Sequence, residues 1–191
     1  MKAKIVSKED FITTKWAGGE TTQLAIYPEN SVFTERDFLW RISSATFTTT
    51  ESTFSDFTGY QRYILPLKGE LSIYHNGLYD RHLKPYEVEY FDGAWTTRST
   101  NSPDCRDFNF IVKSGSLARL QVLLEGEEYF VRESAIAAFF SMDDFEIEHI
   151  SFGDKISLGG FSLYVLETDS EEQIRIFNAR SPVIVAEYIL K

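Results

Sequence analysis

The sequence predicts an all-β protein, a sandwich or barrel built from many short strands. Three observations carry that prediction. Alternating segments rich in Val, Ile, Tyr, Phe and Thr recur along the whole chain. Gly, Asn, Asp and Pro punctuate them at near-regular spacing. Helical periodicity is scarce.

In order, the expected strands are AKIVS (3–7), TTQLAIYP (21–28), FLWRISSATFT (38–48), YILPLKGELSIYH (63–75), EVEYF (87–91) and DFNFIVK (107–113). There follow ARLQVLL (118–124), EYFVRE (128–133), FEIEHIS (145–151), KISLG (155–159), FSLYVLE (161–167), IRIF (174–177) and VIVAEYIL (183–190). Short turns or 3₁₀ segments are expected at 29–37 and 170–173. His75-Asn76-Gly77-Leu78 reads as a two-residue hairpin turn, because Asn-Gly tolerates the positive φ angles of a type I′ turn.

Residues 84–94 (KPYEVEYFDGA) and 152–161 (FGDKISLGGF) echo each other. Each runs from a turn residue through polar–apolar alternation to a glycine corner. Each also follows an apolar–polar strand, LSIYH or FEIEHIS. The echo predicts two related barrel halves joined near 113–117 (KSGSL), with residues 1–113 in the first and 114–191 in the second. The last strand is apolar on both faces, so it is expected to be buried, packing against or completing the first half.

Composition narrows the partners. The 191 residues include 16 Phe and 10 Tyr, ample for a packed interior. The net charge of −10 repels nucleic acid and anionic membranes, and no basic run offsets it. Any anion site must therefore be built locally. The single cysteine, Cys105, permits neither an internal disulfide nor a Cys-based zinc site. No segment reads as a signal peptide or membrane span, so a reduced, cytoplasmic protein is expected.

The stretch Thr14-Lys15-Trp16-Ala17-Gly18-Gly19 precedes a threonine-rich strand. It lacks the lysine and the following helix of a phosphate-binding loop. Gly-Gly before a strand marks a bend or close backbone approach, which leaves Trp16 and the hydroxyls of Thr21 and Thr22 to be explained. The three histidines, His75, His82 and His149, are not neighbours on one strand face, so no metal and no other cofactor is expected. His75, at a predicted hairpin end, is expected to face solvent. Cys105 reads as an inert thiol. Asp92, Asp107 and Glu70 are carboxylates available for acid–base work.

Arg41 falls in mid-strand between Trp40 and Ile42, and Ser43 shares its face. Arg62 follows the Gly59 turn. A buried guanidinium must be paired. Its partner is either the carboxylate of a ligand or an internal one from Asp56, Asp92 or Asp107, and the sequence leaves both open.

Several phrases together resemble the HutD/Ves family. FLWRISSATFTTTESTFSDFTGYQRYILPLKGELSIYHNG carries its Trp-Arg-[Ile/Leu]-Ser, Phe-Ser-x-Phe-x-Gly-x-x-Arg and Leu-x-Gly-Glu elements. LKPYEVEYFDGAWTTRS, RDFNFIVKSG and TKWAGGETTQLA resemble further segments of it, in the right order. One departure stands out. Many members have Trp-Lys-Asn-Gly-Gly-Gly where this chain has residues 14–19, so Trp16 takes the Asn position and Ala17 replaces a glycine.

The resemblance implies a bicupin, two packed antiparallel barrels of the double-stranded β-helix type, without the cupin metal ligands. It also implies a link to histidine utilisation or stress response, and a small carboxylate as ligand. On that basis Trp16 is expected to cover a ligand, with Gly18 and Gly19 letting the backbone pass close over the barrel mouth. Thr21, Ser43 and Asn109 would supply hydrogen bonds. Arg41 or Arg62 would hold an acidic group, oriented by Asp92 or Asp107. The expected function is metal-free binding of a small molecule, as a sensor or accessory in amino-acid catabolism. The alternatives are a metal-independent isomerase or hydrolase of a small acid or sugar derivative, and a module that interacts, or forms a homodimer, through strand edges.

Overall fold

The computed structural model describes residues 1–190. In chain order the strands are β1 (Lys2–Val6), β2 (Ile12–Trp16), β3 (Gly19–Tyr27), β4 (Trp40–Phe47), β5 (Glu51–Thr53), β6 (Tyr60–Lys68) and β7 (Leu71–His75). Then come β8 (Asp80–Leu83), β9 (Glu89–Asp92), β10 (Thr97–Asn101), β11 (Arg106–Lys113), β12 (Ala118–Leu123) and β13 (Glu128–Val131). The last six are β14 (Ala135–Ser141), β15 (Phe145–His149), β16 (Asp154–Leu158), β17 (Ser162–Thr168), β18 (Glu172–Phe177) and β19 (Val183–Ile189). All pairings are antiparallel, and the only helical elements among the described residues are 3₁₀ turns at Lys8–Asp10 and Phe33–Glu35. The protein is all-β.

The chain divides into two compact units, Phe11–Gly115 and Met1–Asp10 with Ser116–Lys191. Each holds two antiparallel sheets, and the strand order repeats at an offset of eight. The first unit contains β4-β11-β6-β9 and β5-β10-β7-β8; the second contains β12-β19-β14-β17 and β13-β18-β15-β16. In the first unit β2 and β3 extend the sheet beyond β4, and in the second β1 adds to β17.

Two pairings differ from the expected single boundary near residue 113. Strand β1 belongs to the second unit, because its backbone completes a ladder with β17 from Lys2↔Glu167 to Val6↔Leu163. Strand β19 lies inside the second unit's own sheet between β12 and β14. Its Val183 and Val185 enter that unit's core.

The Asn76-Gly77 turn also differs. Only Gly77 has positive φ (73°), and Leu78 N–H donates to the His75 carbonyl, the pattern of a type II turn. The His75 N–H donates to the Tyr79 carbonyl, so the loop is three residues long. The expected 3₁₀ turn within 29–37 forms at Phe33–Glu35, whereas Glu172 opens β18.

The two interiors contrast. The second unit is filled by Phe139, Phe145, Ile147, Leu166, Ile174, Ile176, Val185 and their neighbours. In the first unit Ile64, Leu71, Ile73, Leu83 and Phe91 fill one part and Phe38, Phe57, Tyr60 and Ile111 another. Between them the strands turn polar side chains inward.

Candidate functional site

Alternation along β4 puts Arg41, Ser43 and Ala45 on one face and Trp40, Ile42 and Ser44 on the other. On β11 the same rule groups Asp107, Asn109 and Ile111. Register aligns these sets. Arg41 on β4 and Arg62 on β6 both oppose Ile111, and Ser43 and Ile64 both oppose Asn109. Two strand spacings place the arginine backbones about 10 Å apart, on either side of Ile111.

These residues enclose a cavity of about 270 Å³ lined by Trp16, Thr21, Arg41, Ser43, Arg62, Asp107 and Asn109. Phe33, Phe47, Phe54, Phe57 and Ile111 supply apolar wall, and hydroxyls come from Ser52, Thr53 and Ser55.

Both arginines are buried. Arg41 Nε donates to Gln23 Oε1 at 2.8 Å, its Nη1 donates to Ser43 Oγ at 3.1 Å, and the guanidinium lies 4.0 Å from the Phe33 ring centre. Arg62 lies over the rings of Phe54 (4.6 Å) and Phe91 (5.2 Å), and its Nε has no hydrogen-bond partner among the described residues. Burial pulls each guanidinium down to about 10, opposed by the Asp107 charge. Both stay cationic at neutral pH.

None of the three carboxylates considered from sequence makes an ion pair with either arginine. Asp56 accepts from the Thr58 N–H and hydroxyl. Asp92 caps the Ala94 N–H at 2.9 Å and meets the Gln61 amide at 3.4 Å, outside the cavity. The expectation that Asp92 orients an arginine is therefore corrected: its backbone turn claims it. Asp107 is in the cavity, but its Oδ1 accepts the Ala45 N–H at 2.7 Å. Burial pushes its carboxyl up to about 6, against the pull of that N–H and of Arg62, Arg106 and Arg41.

Trp16 sits at the rim, half-exposed, with Nε1–H donating to Thr21 Oγ1 at 3.1 Å and its ring edge-on to Phe47. Gly18 and Gly19 do not line the cavity; Gly18 makes room for the Trp16 ring and Gly19 for the β4 backbone. A Cβ on Gly18 would stand 2.0 Å from the Trp16 ring, and one on Gly19 only 1.9 Å from the Thr46 carbonyl oxygen.

His75, expected at the surface, is buried. Its Nδ1 pairs with Thr97 Oγ1 at 2.9 Å and its Nε2 lies 3.7 Å from Glu89. Burial lowers its pKa against the pull of Glu89. Its β15 counterpart, His149, lies between Glu172 (3.2 Å) and Tyr164 (2.9 Å). Among the described residues no three His, Cys, Asp or Glu side chains converge as a metal-ligand set, so these residues do not fit a cupin metal. Burial pushes the Cys105 thiol up to about 12.

The second unit offers an internal comparison. Arg119 is the second residue of β12 as Arg41 is of β4, and it opposes Glu187 as Arg41 opposes Ile111. Glu187 is buried and accepts from Arg119 (3.1 Å) and Arg132 (2.6 Å). There a carboxylate of the chain closes the arginine site. In the first unit isoleucine stands at that place.

Sequence reasoning missed Gln23, Ile111 and the phenylalanine walls. Phe33, Phe54 and Phe57 lie outside the sheet strands, where no periodicity announces an inward face.

The sequence model of the HutD family matches residues 8–182. No curated protein matches the sequence. HutD from Pseudomonas fluorescens SBW25, solved in a formate condition, superposes with a TM-score of 0.80 at 23% identity, covering 100% of both chains. A conserved protein of unknown function from Pseudomonas aeruginosa PAO1 gives 0.84 at 24% identity, covering 98% of each. A cupin 2 conserved barrel domain protein from Leptotrichia buccalis gives 0.57 at 12% identity, covering 98% of this chain and 96% of that one. The fold is of the cupin type.

Proposed function

This chain belongs to the HutD family, and from that premise we propose that its first unit binds a small carboxylate through protein groups alone. One observation carries the reading. Arg41 and Arg62 are buried in one cavity with no ion-pair partner among the described residues, at the place where the second unit closes its own arginines with Glu187. A buried charge needs a counter-charge. With Asp107 ionised the cavity groups sum to one positive charge, which suits a single carboxylate. The aromatic wall receives the carbon body and Trp16 covers the mouth. We take histidine or amino-acid catabolism as the setting, which membership of the family supports, and propose a cytoplasmic sensor or accessory role.

A thermal-shift screen of small acids tests this, starting from formate and extending to acidic intermediates of histidine breakdown. A ligand at a hundred times its Kd stabilises by about 2.7 kcal/mol. Arg62→Ala should fold and lose that stabilisation. Ile111→Glu should place an internal carboxylate between the arginines, as Glu187 does in the second unit, and should also cease to respond. If Ile111→Glu folds and still gains stability from the same acid, the reading is wrong.

A second reading rests on Asp107. A buried carboxyl titrating at about 6 is poised as a general base near neutrality. In that case the protein is an isomerase or hydrolase of a small acid, and Asp107→Asn keeps binding while abolishing a mass or stereochemical change in the bound acid.

A further inference from the structure

A bare carboxylate would satisfy the arginines and leave other cavity groups unmet. Resting on the carboxylate-binding reading above, we infer that the ligand is a small acid that also carries a hydrogen-bond donor, such as a hydroxyl, an amide N–H or an ammonium group. The donor faces Asp107 and Asn109, and the carboxylate faces Arg41 and Arg62.

The unmet atoms define the ligand. Among the described residues, Arg62 Nε is a buried donor without a partner and Asn109 Oδ1 a buried acceptor without a partner. Both side chains line the same cavity and are at least nine-tenths buried, as is Asp107. Asp107 Oδ1 is taken by the Ala45 N–H, whereas Oδ2 accepts no hydrogen bond among the described residues. A buried polar atom is costly when unpaired. Formate or acetate, which have only acceptors when ionised, can complete Arg62. They cannot complete Asn109 Oδ1, and they add negative charge beside Asp107.

Placement along β11 separates the two halves of the demand. Ile111, Asn109 and Asp107 are successive inward positions, each about 7 Å from the next. The arginines flank the Ile111 row, while Ser43 shares the Asn109 row and the Ala45 N–H meets Asp107. Along β11 the acceptors Asn109 and Asp107 follow the row that the arginine backbones flank, and Arg41 Nη1 reaches the Ser43 hydroxyl in the Asn109 row. A ligand with a donor a few bonds from its carboxylate meets both halves at once.

Calorimetry on the wild-type protein at pH 7.5 tests this with two matched pairs, lactate against propionate and 3-phenyllactate against 3-phenylpropionate. The hydroxy acid of a pair should bind about tenfold more tightly than its deoxy partner. Asn109→Ala should narrow that ratio while still binding the deoxy acid. A ratio below threefold in every pair that binds overturns the donor requirement and leaves the carboxylate reading standing. If no acid of either pair binds at millimolar concentration, both fall together. Because the central comparison uses the unaltered protein, a variant that fails to fold does not affect it.

Discussion

Asp107 ties the cavity's chemistry to pH. Burial raises its carboxyl to about 6, and Arg62, Arg106, Arg41 and the Ala45 N–H hold it from rising further. An anion bound nearby disfavours the ionised form and raises that value again. Binding of a simple acid near pH 6.5 should therefore take up a fraction of a proton, and affinity should increase as pH falls from 7.5 to 5.5, while the ligand stays ionised. Calorimetry in buffers of different ionisation enthalpy measures the uptake directly. Proton release, or affinity that rises with pH, would show that Asp107 is not beside the bound anion. A donor on the ligand favours ionised Asp107, so the advantage of a hydroxy acid should shrink below pH 6.

Strand alternation groups Arg41 with Ser43 and Asn109 with Asp107, and that much is readable from single segments. Register is not. Only the pairing of β4, β11 and β6 places Arg41 and Arg62 on either side of Ile111. Likewise the Gly18-Gly19 pair reads as a bend, but what it makes room for is set by contact with β4. Adding a methyl group at Gly19 would drive it against the Thr46 carbonyl, 1.9 Å away, and against the Phe47 Cα at 3.0 Å. Both are backbone of a central strand and cannot swing aside. Gly19→Ala should cost about 1–3 kcal/mol in denaturant unfolding. A loss below 0.5 kcal/mol would mean that β2 and β3 pack more loosely on β4 than the ladder implies.

The whole molecule is a repeat in topology with two different interiors. Strand order recurs at an offset of eight, yet one unit is plugged with apolar side chains and the other holds a charged cavity. The first ten residues illustrate the division, since they precede the first unit in sequence and pair within the second. Removing residues 1–10 strips an edge strand from the five-stranded sheet and removes no residue that lines the cavity. The truncated protein should melt at lower temperature yet bind the same acid with unchanged affinity at 20 °C. Lost binding in a truncated protein that remains folded would contradict that separation.

By itself the sequence determined an all-β chain and the approximate strands. These depend on local alternation, turn chemistry and residue supply, all of which act within a few residues. It could not determine that β1 joins the second unit, that His75 is buried, or that Asp92 is taken by its own turn. Nor could it show that Asp56 and Asp107, like Asp92, are engaged by backbone N–H groups. Those outcomes depend on which strands pair, because pairing brings residues distant in the chain to one face, and in this fold it sets isoleucine where the other unit has glutamate.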